Sequence, residues 1–251
     1  MLVRPSTFIV ELIASRPISH VYMSLAVLEA IADYQPQCIH LTGSPDPMYH
    51  PLLRSVVLRT SRSHTTVWTK GDYYYPAWWC ELARQLGRNS QVNFSISDAD
   101  GDAVNNVRAF VSTGGHAAWR FVSNLSNKHL LESHRKRAES IGAHFVIDDF
   151  DNILETLCPK NSNKLCKSVA ASNVYVTVDG LLFPCAWAST DAGVAALLEK
   201  HGYSSISVMH NSISEILHGE VFREINMGIS KGTGRVAACS SHCLPKNKAG
   251  H

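Results

Sequence analysis

The sequence predicts an α/β fold, about six parallel strands, most followed by a helix, with a smaller cysteine-rich part after about residue 150. Three observations predict it. Short apolar runs alternate with helical patterns through the first 150 residues, which is how βα units feeding a parallel sheet read. Cysteines are concentrated late in the chain, five of the seven lying in the last 94 residues. A single β-hairpin signal, a strand pattern broken by Asp179-Gly180, stands in that late part.

Residues 8–14 read as the first strand, and residues 24–34 (SLAVLEAIADY) as a helix with Ser24 as N-cap and Leu25, Leu28 and Ala32 on one face. Residues 38–41 form the second strand, stopped by Gly43, Pro45 and Pro47, and residues 51–60 a helix. Residues 65–68 are the third strand and 76–86 the helix after it. Residues 91–96 alternate as a strand and 98–102 form a polar turn. Residues 118–122 are a strand, 128–140 a charged amphipathic helix, and 143–147 a strand after Gly142 at the helix C-cap. Beyond the boundary, residues 174–178 and 181–184 flank the Asp-Gly turn. The expected domains are therefore 1–150 and 151–251.

A chain of 251 residues buries roughly 70–75% of its unfolded surface and needs no disulfide to fold. Its 23 Lys and Arg against 21 Asp and Glu announce no nucleic-acid or membrane partner. No run of about 18 apolar residues occurs. The N-terminal run carries Glu11 and lacks a small-x-small cleavage site, so it makes a poor signal peptide. A cytoplasmic protein is expected, in which closely spaced cysteines serve as metal ligands or catalytic thiols more often than as disulfides.

Cys166 lies before the hairpin, Gly180 in its turn and Cys185 at its end, and Cys239 and Cys243 come later in CSSHC. The spacing is C-x13-G-x4-C followed by C-x3-C, which can gather four sulfurs around one metal centre. Zinc and an iron–sulfur cluster both accept four cysteines, and buried small hydrophobes are the plain alternative.

The segment NVYVTVDGLLFPCAWAS resembles the C-terminal SPASM or twitch domain of radical S-adenosylmethionine (radical SAM) enzymes, and SISEILHGEVFREI resembles the helix before that family's closing cysteines. This resemblance implies one auxiliary [4Fe–4S] cluster on Cys166, Cys185, Cys239 and Cys243, with Cys158 as the alternative ligand. Upstream, CIHLTGSPDPMYHPLLRSVV resembles the family's "ltGGEPllhp", which holds the methionyl amino group of S-adenosylmethionine (AdoMet). That likeness implies cofactor contacts from Gly43, Ser44, Pro45 and Asp46. VWTKGD resembles the "TNG" strand end and VNFSISDAD the "iSlDg" strand, which adds Ser95. RFVSNLSNKHLLESHRKRAESIGAHF resembles the next unit of that family. The implied fold is a partial (β/α)6 TIM-like barrel of radical SAM type with a twitch-like extension.

The family's catalytic cluster is held by C-x3-C-x2-C after the first strand. In SRPISHVYMS the same spacing falls on Ser15, Ser19 and Tyr22, hard hydroxyl ligands where soft thiolates are needed. The expectation is a radical SAM/SPASM-like iron–sulfur protein degenerate at its catalytic cluster, related to enzymes that modify peptides or small molecules, with AdoMet cleavage lost. The alternatives are a catalytically silent substrate- or peptide-binding partner of an intact radical SAM enzyme, and a zinc-stabilised structural protein.

Other features carry less. His20, His40, His50 and His64 offer ligands or acid–base groups but no tight metal spacing. Gly114 and Gly115 read as a plain turn, since no Walker lysine comes after them. The run YYYPAWW, residues 73–79, invites a stacking or peptide-binding role against a default of packing. The basic stretch at 134–140 reads as a solvated helix face, and Cys38 and Cys80 as core cysteines.

Overall fold

Strand β1 (Thr7–Glu11) opens the structure, a computed structural model that describes residues 4–16, 19–86, 89–96, 101–123, 126–149 and 172–231. Cys158, Cys166, Cys239 and Cys243, with residues 98–100 of the polar turn, lie outside the described residues. The predicted first strand is broken at Leu12, and its second half belongs to an antiparallel hairpin of β2 (Ile13–Arg16) and β3 (Ser19–Tyr22). Helix α1 (Leu25–Tyr34) comes next, with the Ser24 side chain accepting from the Val27 amide as the sequence suggests. Its buried residues are Val27, Leu28 and Ile31, so that of the expected Leu25, Leu28 and Ala32 only Leu28 is among them.

The chain divides into two compact units, one drawn from residues 10–22 and 37–153, the other from 1–9, 23–36 and 154–251. In the former, strands β4 (Cys38–Thr42), β5 (His64–Thr69), β6 (Ser90–Ser95), β7 (Ala117–Ser123) and β8 (His144–Asp149) pair in chain order, all parallel. Parallel neighbours need crossover connections, and helices α2 (Leu53–Arg59), α3 (Pro76–Gln85), α4 (Asp102–Ser112) and α5 (Leu131–Ser140) supply them in turn. The sequence pattern gave no sign of α4, although its apolar residues Val104, Val107 and Phe110 recur at helical spacing and are buried.

One face of this sheet is apolar and covered by helices. Ile39, Leu41, Val67, Val92, Phe94, Trp119 and Phe121 are at most 1% exposed. The Trp79 ring of α3 and the Phe110 ring of α4 lie 5.0 and 5.8 Å from that of Phe94, and the His134 ring of α5 lies 4.6 Å from Phe121. After α4 the Gly115 amide bonds the Phe110 carbonyl at 3.0 Å and the Gly114 amide that of Val111 at 2.9 Å, a Schellman closure with Gly114 at φ 93°. A Cβ on Gly115 would lie 2.4 Å from the Phe110 ring.

The other unit contains the hairpin that Asp179-Gly180 marks, β9 (Asn173–Val176) and β10 (Leu182–Phe183), paired Leu182 to Val176 and Phe183 to Tyr175. The strand order there is β10-β9-β1. The unit also contains α1 and, among the described residues that come after the hairpin, helices α6 (Ala192–His201), α7 (Ile213–His218) and α8 (Glu220–Lys231). Asp191 caps α6 through the amides of Gly193 and Val194, and Ser212 and Glu215 form a capping box on α7. Helix α6 has no counterpart among the elements expected from the sequence. The architecture is α/β, with eight sheet strands that are mostly parallel. No helix among the described residues is long and apolar enough to cross a membrane.

Phe110 joins α4 to the sheet and seats the Gly115 turn. Phe110→Ala is expected to lower the unfolding free energy by about 3–5 kcal/mol in a urea titration.

Candidate functional site at the strand ends and inner face

The loop that leaves β4 is held on every side. Glycine is required at 43 because a Cβ there would lie 2.4 Å from Ile13 Cγ2. The Ser44 amide donates to the Ile13 carbonyl at 2.9 Å, and the Ser44 carbonyl accepts from the Ser15 hydroxyl at 3.2 Å. The Ser44 and Pro45 side chains are exposed, whereas Asp46 is buried. Its Oδ1 accepts from the Met48 amide at 2.9 Å, capping a 3-10 turn (Pro47–Tyr49), and its Oδ2 accepts from Thr69 Oγ1 at 2.9 Å and the Lys70 amide at 2.7 Å. Burial pushes the Asp46 carboxyl above its ordinary pKa, although the bonds from Lys70, Met48 and Thr69 act the other way.

Ser15, Ser19 and Tyr22 are hairpin residues, not members of an open loop. The register pairs Ile13 with Tyr22, Ala14 with Val21, Ser15 with His20 and Arg16 with Ser19. Paired residues share a face and successive residues alternate. Ser15 and Tyr22 therefore point to one side and Ser19 to the other. Ser15 Oγ lies 3.4 Å from His20 Nδ1. The Tyr22 ring sets its edge on His50 at 5.7 Å, and the His20 ring tilts against Tyr49 at 6.2 Å.

The second face of the β4–β8 sheet is polar. Registers of Thr66 with His40 and Gln91, and of Asn93 with Trp68 and Ala118, align His40, Thr66, Trp68, Gln91 and Asn93 on it. Arg120 pairs with Ser95 and Val146, and Asp148 with Val122, which adds Ser95, Arg120 and Asp148. Arg120 grips Asp148 with two donors, Nε to Oδ2 at 2.6 Å and Nη2 to Oδ1, and its guanidinium lies 4.3 Å over the Trp68 ring. Trp68 Nε1 reaches His40 Nδ1 at 3.5 Å. Burial first, then the neighbouring His64 and Arg120, lower the His40 pKa and favour the neutral ring. Ser95 sits at the mouth of this face, in a cavity of about 370 Å³ that Lys70, Asp72, Asp102 and Asn127 also line.

The remaining candidates divide plainly. In the aromatic run, Tyr74 stacks on Trp78 at 4.2 Å and 11°, Tyr73 touches Tyr74 at 4.4 Å and Tyr49 at 4.3 Å, and Arg54 covers Trp78 at 5.2 Å. Of these ring contacts only Tyr74 on Trp78 is stacked face to face, and Tyr75 of the same run is 66% exposed. The Gly114 and Gly115 amides close α4, so that turn is structural. On α5 Arg135 and Lys136 are exposed and Arg137 is half-buried, whereas His134 is buried and meets Trp119 Nε1 at 3.2 Å. Cys185 is half-buried, outside any disulfide, at the start of a 3-10 turn (Ala186–Thr190). Cys38 and Cys80 are half-buried as well.

Arg120, Asp148 and Asn106 were not among the residues the sequence singled out. A charge between Trp119 and Phe121 in an apolar strand is the available signal for Arg120. Asn106, 1% exposed, ties the loop after β5 by donating from Nδ2 to the carbonyls of Gly71 (2.8 Å) and Tyr74 (3.1 Å).

Two outcomes are expected. Arg120→Met leaves the Asp148 carboxylate, with 17% of its side chain exposed, without its fork, and should cost about 3 kcal/mol in urea unfolding, most of it recovered in Arg120→Met/Asp148→Leu. Because the folded pKa of His40 lies below the unfolded one, the unfolded chain takes up more protons as pH falls through the ordinary histidine range. Stability should therefore drop between about pH 7 and pH 5, and less steeply in His40→Gln, as read from urea midpoints at the two pH values.

No protein-family model matches the sequence, and comparison with curated proteins finds no match. Solved structures do resemble it. BtrN in complex with AdoMet and 2-DOIA superposes with a TM-score of 0.50 at 14% identity, over 92% of this chain and 89% of BtrN. BtrN in an open conformation gives 0.50 at 14%, over 100% and 94%. Streptococcus suis SuiB gives 0.57 at 9%, over 91% of this chain and 68% of SuiB. Both proteins are radical SAM enzymes, and the fold of this chain is similar to theirs.

Proposed function

We propose that this chain is an iron–sulfur binding protein on a radical SAM fold, without a catalytic cluster. Residues 1–150 form the partial barrel and residues 151–251 a twitch-like domain. Cys166, Cys185, Cys239 and Cys243 hold one auxiliary [4Fe–4S] cluster, with Cys158 as the alternative ligand. The ligand, a peptide or small molecule, lies on the polar inner face beside His40, Trp68 and Arg120 and is not subjected to radical chemistry.

The hairpin carries the reading. A catalytic cluster needs three soft donors converging on one centre. The positions at that spacing offer two serines and a tyrosine, with Ser15 and Tyr22 on one face of the hairpin and Ser19 on the other. These residues do not fit the group. Cys185 does fit an auxiliary cluster, being a thiol, a soft donor, at the end of the hairpin. The fold likeness to BtrN, solved with AdoMet and 2-DOIA, supports a ligand at the strand ends. An auxiliary cluster supplies structural order or electron conduction when bound.

Protein purified without oxygen is expected to contain iron and acid-labile sulfide for one cluster, lost in Cys185→Ala, and to release no 5′-deoxyadenosine from AdoMet under dithionite. Two clusters, zinc in place of iron, or 5′-deoxyadenosine above a protein-free control would each overturn the proposal.

A further inference from the structure

The loop at residues 43–46 and the β2–β3 hairpin interlock. Both backbone groups of Ser44 are engaged by the hairpin, the amide by the Ile13 carbonyl at 2.9 Å and the carbonyl by the Ser15 hydroxyl at 3.2 Å. Ile13 fills the space above Gly43. Asp46 is 3% exposed, and its carboxylate already accepts from the Met48 and Lys70 amides and the Thr69 hydroxyl. These three donors occupy most of the carboxylate's roughly four acceptor sites, and a ligand's ammonium could reach what is left only by opening a loop that leaves Asp46 3% exposed. Tyr22 on His50 and His20 on Tyr49 extend the same contact surface beyond the loop.

We infer that the hairpin, and not a bound cofactor, orders the loop after β4, so that residues 43–46 form a tether between β2, β4 and β5 instead of a seat for the methionyl amino group of AdoMet. This rests on the reading that the chain has no catalytic cluster and extends it, since Ile13, Ser15, His20 and Tyr22, which close on the loop and the turn after it, all lie on one face of the hairpin. Restoring thiolates at the three positions does not restore the site, because a cysteine at 19 faces away from those at 15 and 22.

The test uses the full chain under anaerobic reconstitution with ferrous iron and sulfide. The variant Ser15→Cys/Ser19→Cys/Tyr22→Cys is expected to take up no more iron and sulfide than the natural chain. An excess equal to one further cluster overturns the inference. Only this difference bears on it, whereas the iron content of the natural chain tests the function proposed above. Ser15→Ala removes the bond to Ser44 and is expected to lower the thermal midpoint by about 2–4 °C; no shift counts against the tether. Should the triple variant fail to fold, equilibrium dialysis of AdoMet against the natural chain and Asp46→Asn decides. Absent binding, or binding equal in both, supports the tether, and binding by the natural chain that is lost in Asp46→Asn overturns it.

Discussion

A parallel ladder can be built only with crossovers, and this requirement organises the unit that holds β4–β8. Each of the four connections contains a helix, and the helices cover a face made of Ile39, Leu41, Val67, Val92, Phe94, Trp119 and Phe121. Strand alternation then leaves the opposite face to the intervening residues, which are His40, Thr66, Trp68, Gln91, Asn93, Arg120 and Asp148. One face supplies stability and the other polar chemistry. The same crossovers bring the loops after β4, β5 and β6 to one end, where Asp46 ties the first loop to the end of β5.

The polar face is selective in the groups it leaves available. Arg120, neutralised by Asp148 and stacked on Trp68, offers little net charge. His40 is held toward its neutral form by burial and by its neighbours His64 and Arg120. The half-buried Gln91 donates from Nε2 to Oδ1 of Asn93, itself 3% exposed, at 2.6 Å, and Trp68 adds an aromatic face. Such a surface suits a polar ligand that carries little formal charge.

The strands and most helices were legible because apolar periodicity is local. Residues 38–41, 65–68, 91–96, 118–122 and 143–147 all fall within observed strands or one residue outside them. The break at Leu12 was not legible, since FIVELIA has no Gly or Pro to mark it and the turn to β2 depends on the contact of Ile13 with Gly43. Helix α4 was hidden by Asn105 and Asn106, poor helix formers, and is held by the packing of Val107 and Phe110. Pairings such as Arg120 with Asp148 are set by register between strands 28 residues apart, which no local pattern encodes. The spacing of Ser15, Ser19 and Tyr22 was legible, but their division between two faces needed the hairpin register.

The central claim is that one cluster is present and that AdoMet has no iron to bind. Electron paramagnetic resonance of the dithionite-reduced protein, with and without AdoMet, tests it most directly. A single reduced-cluster signal unchanged by AdoMet is the result this account requires; a second signal, or a signal whose shape changes when AdoMet is added, contradicts it.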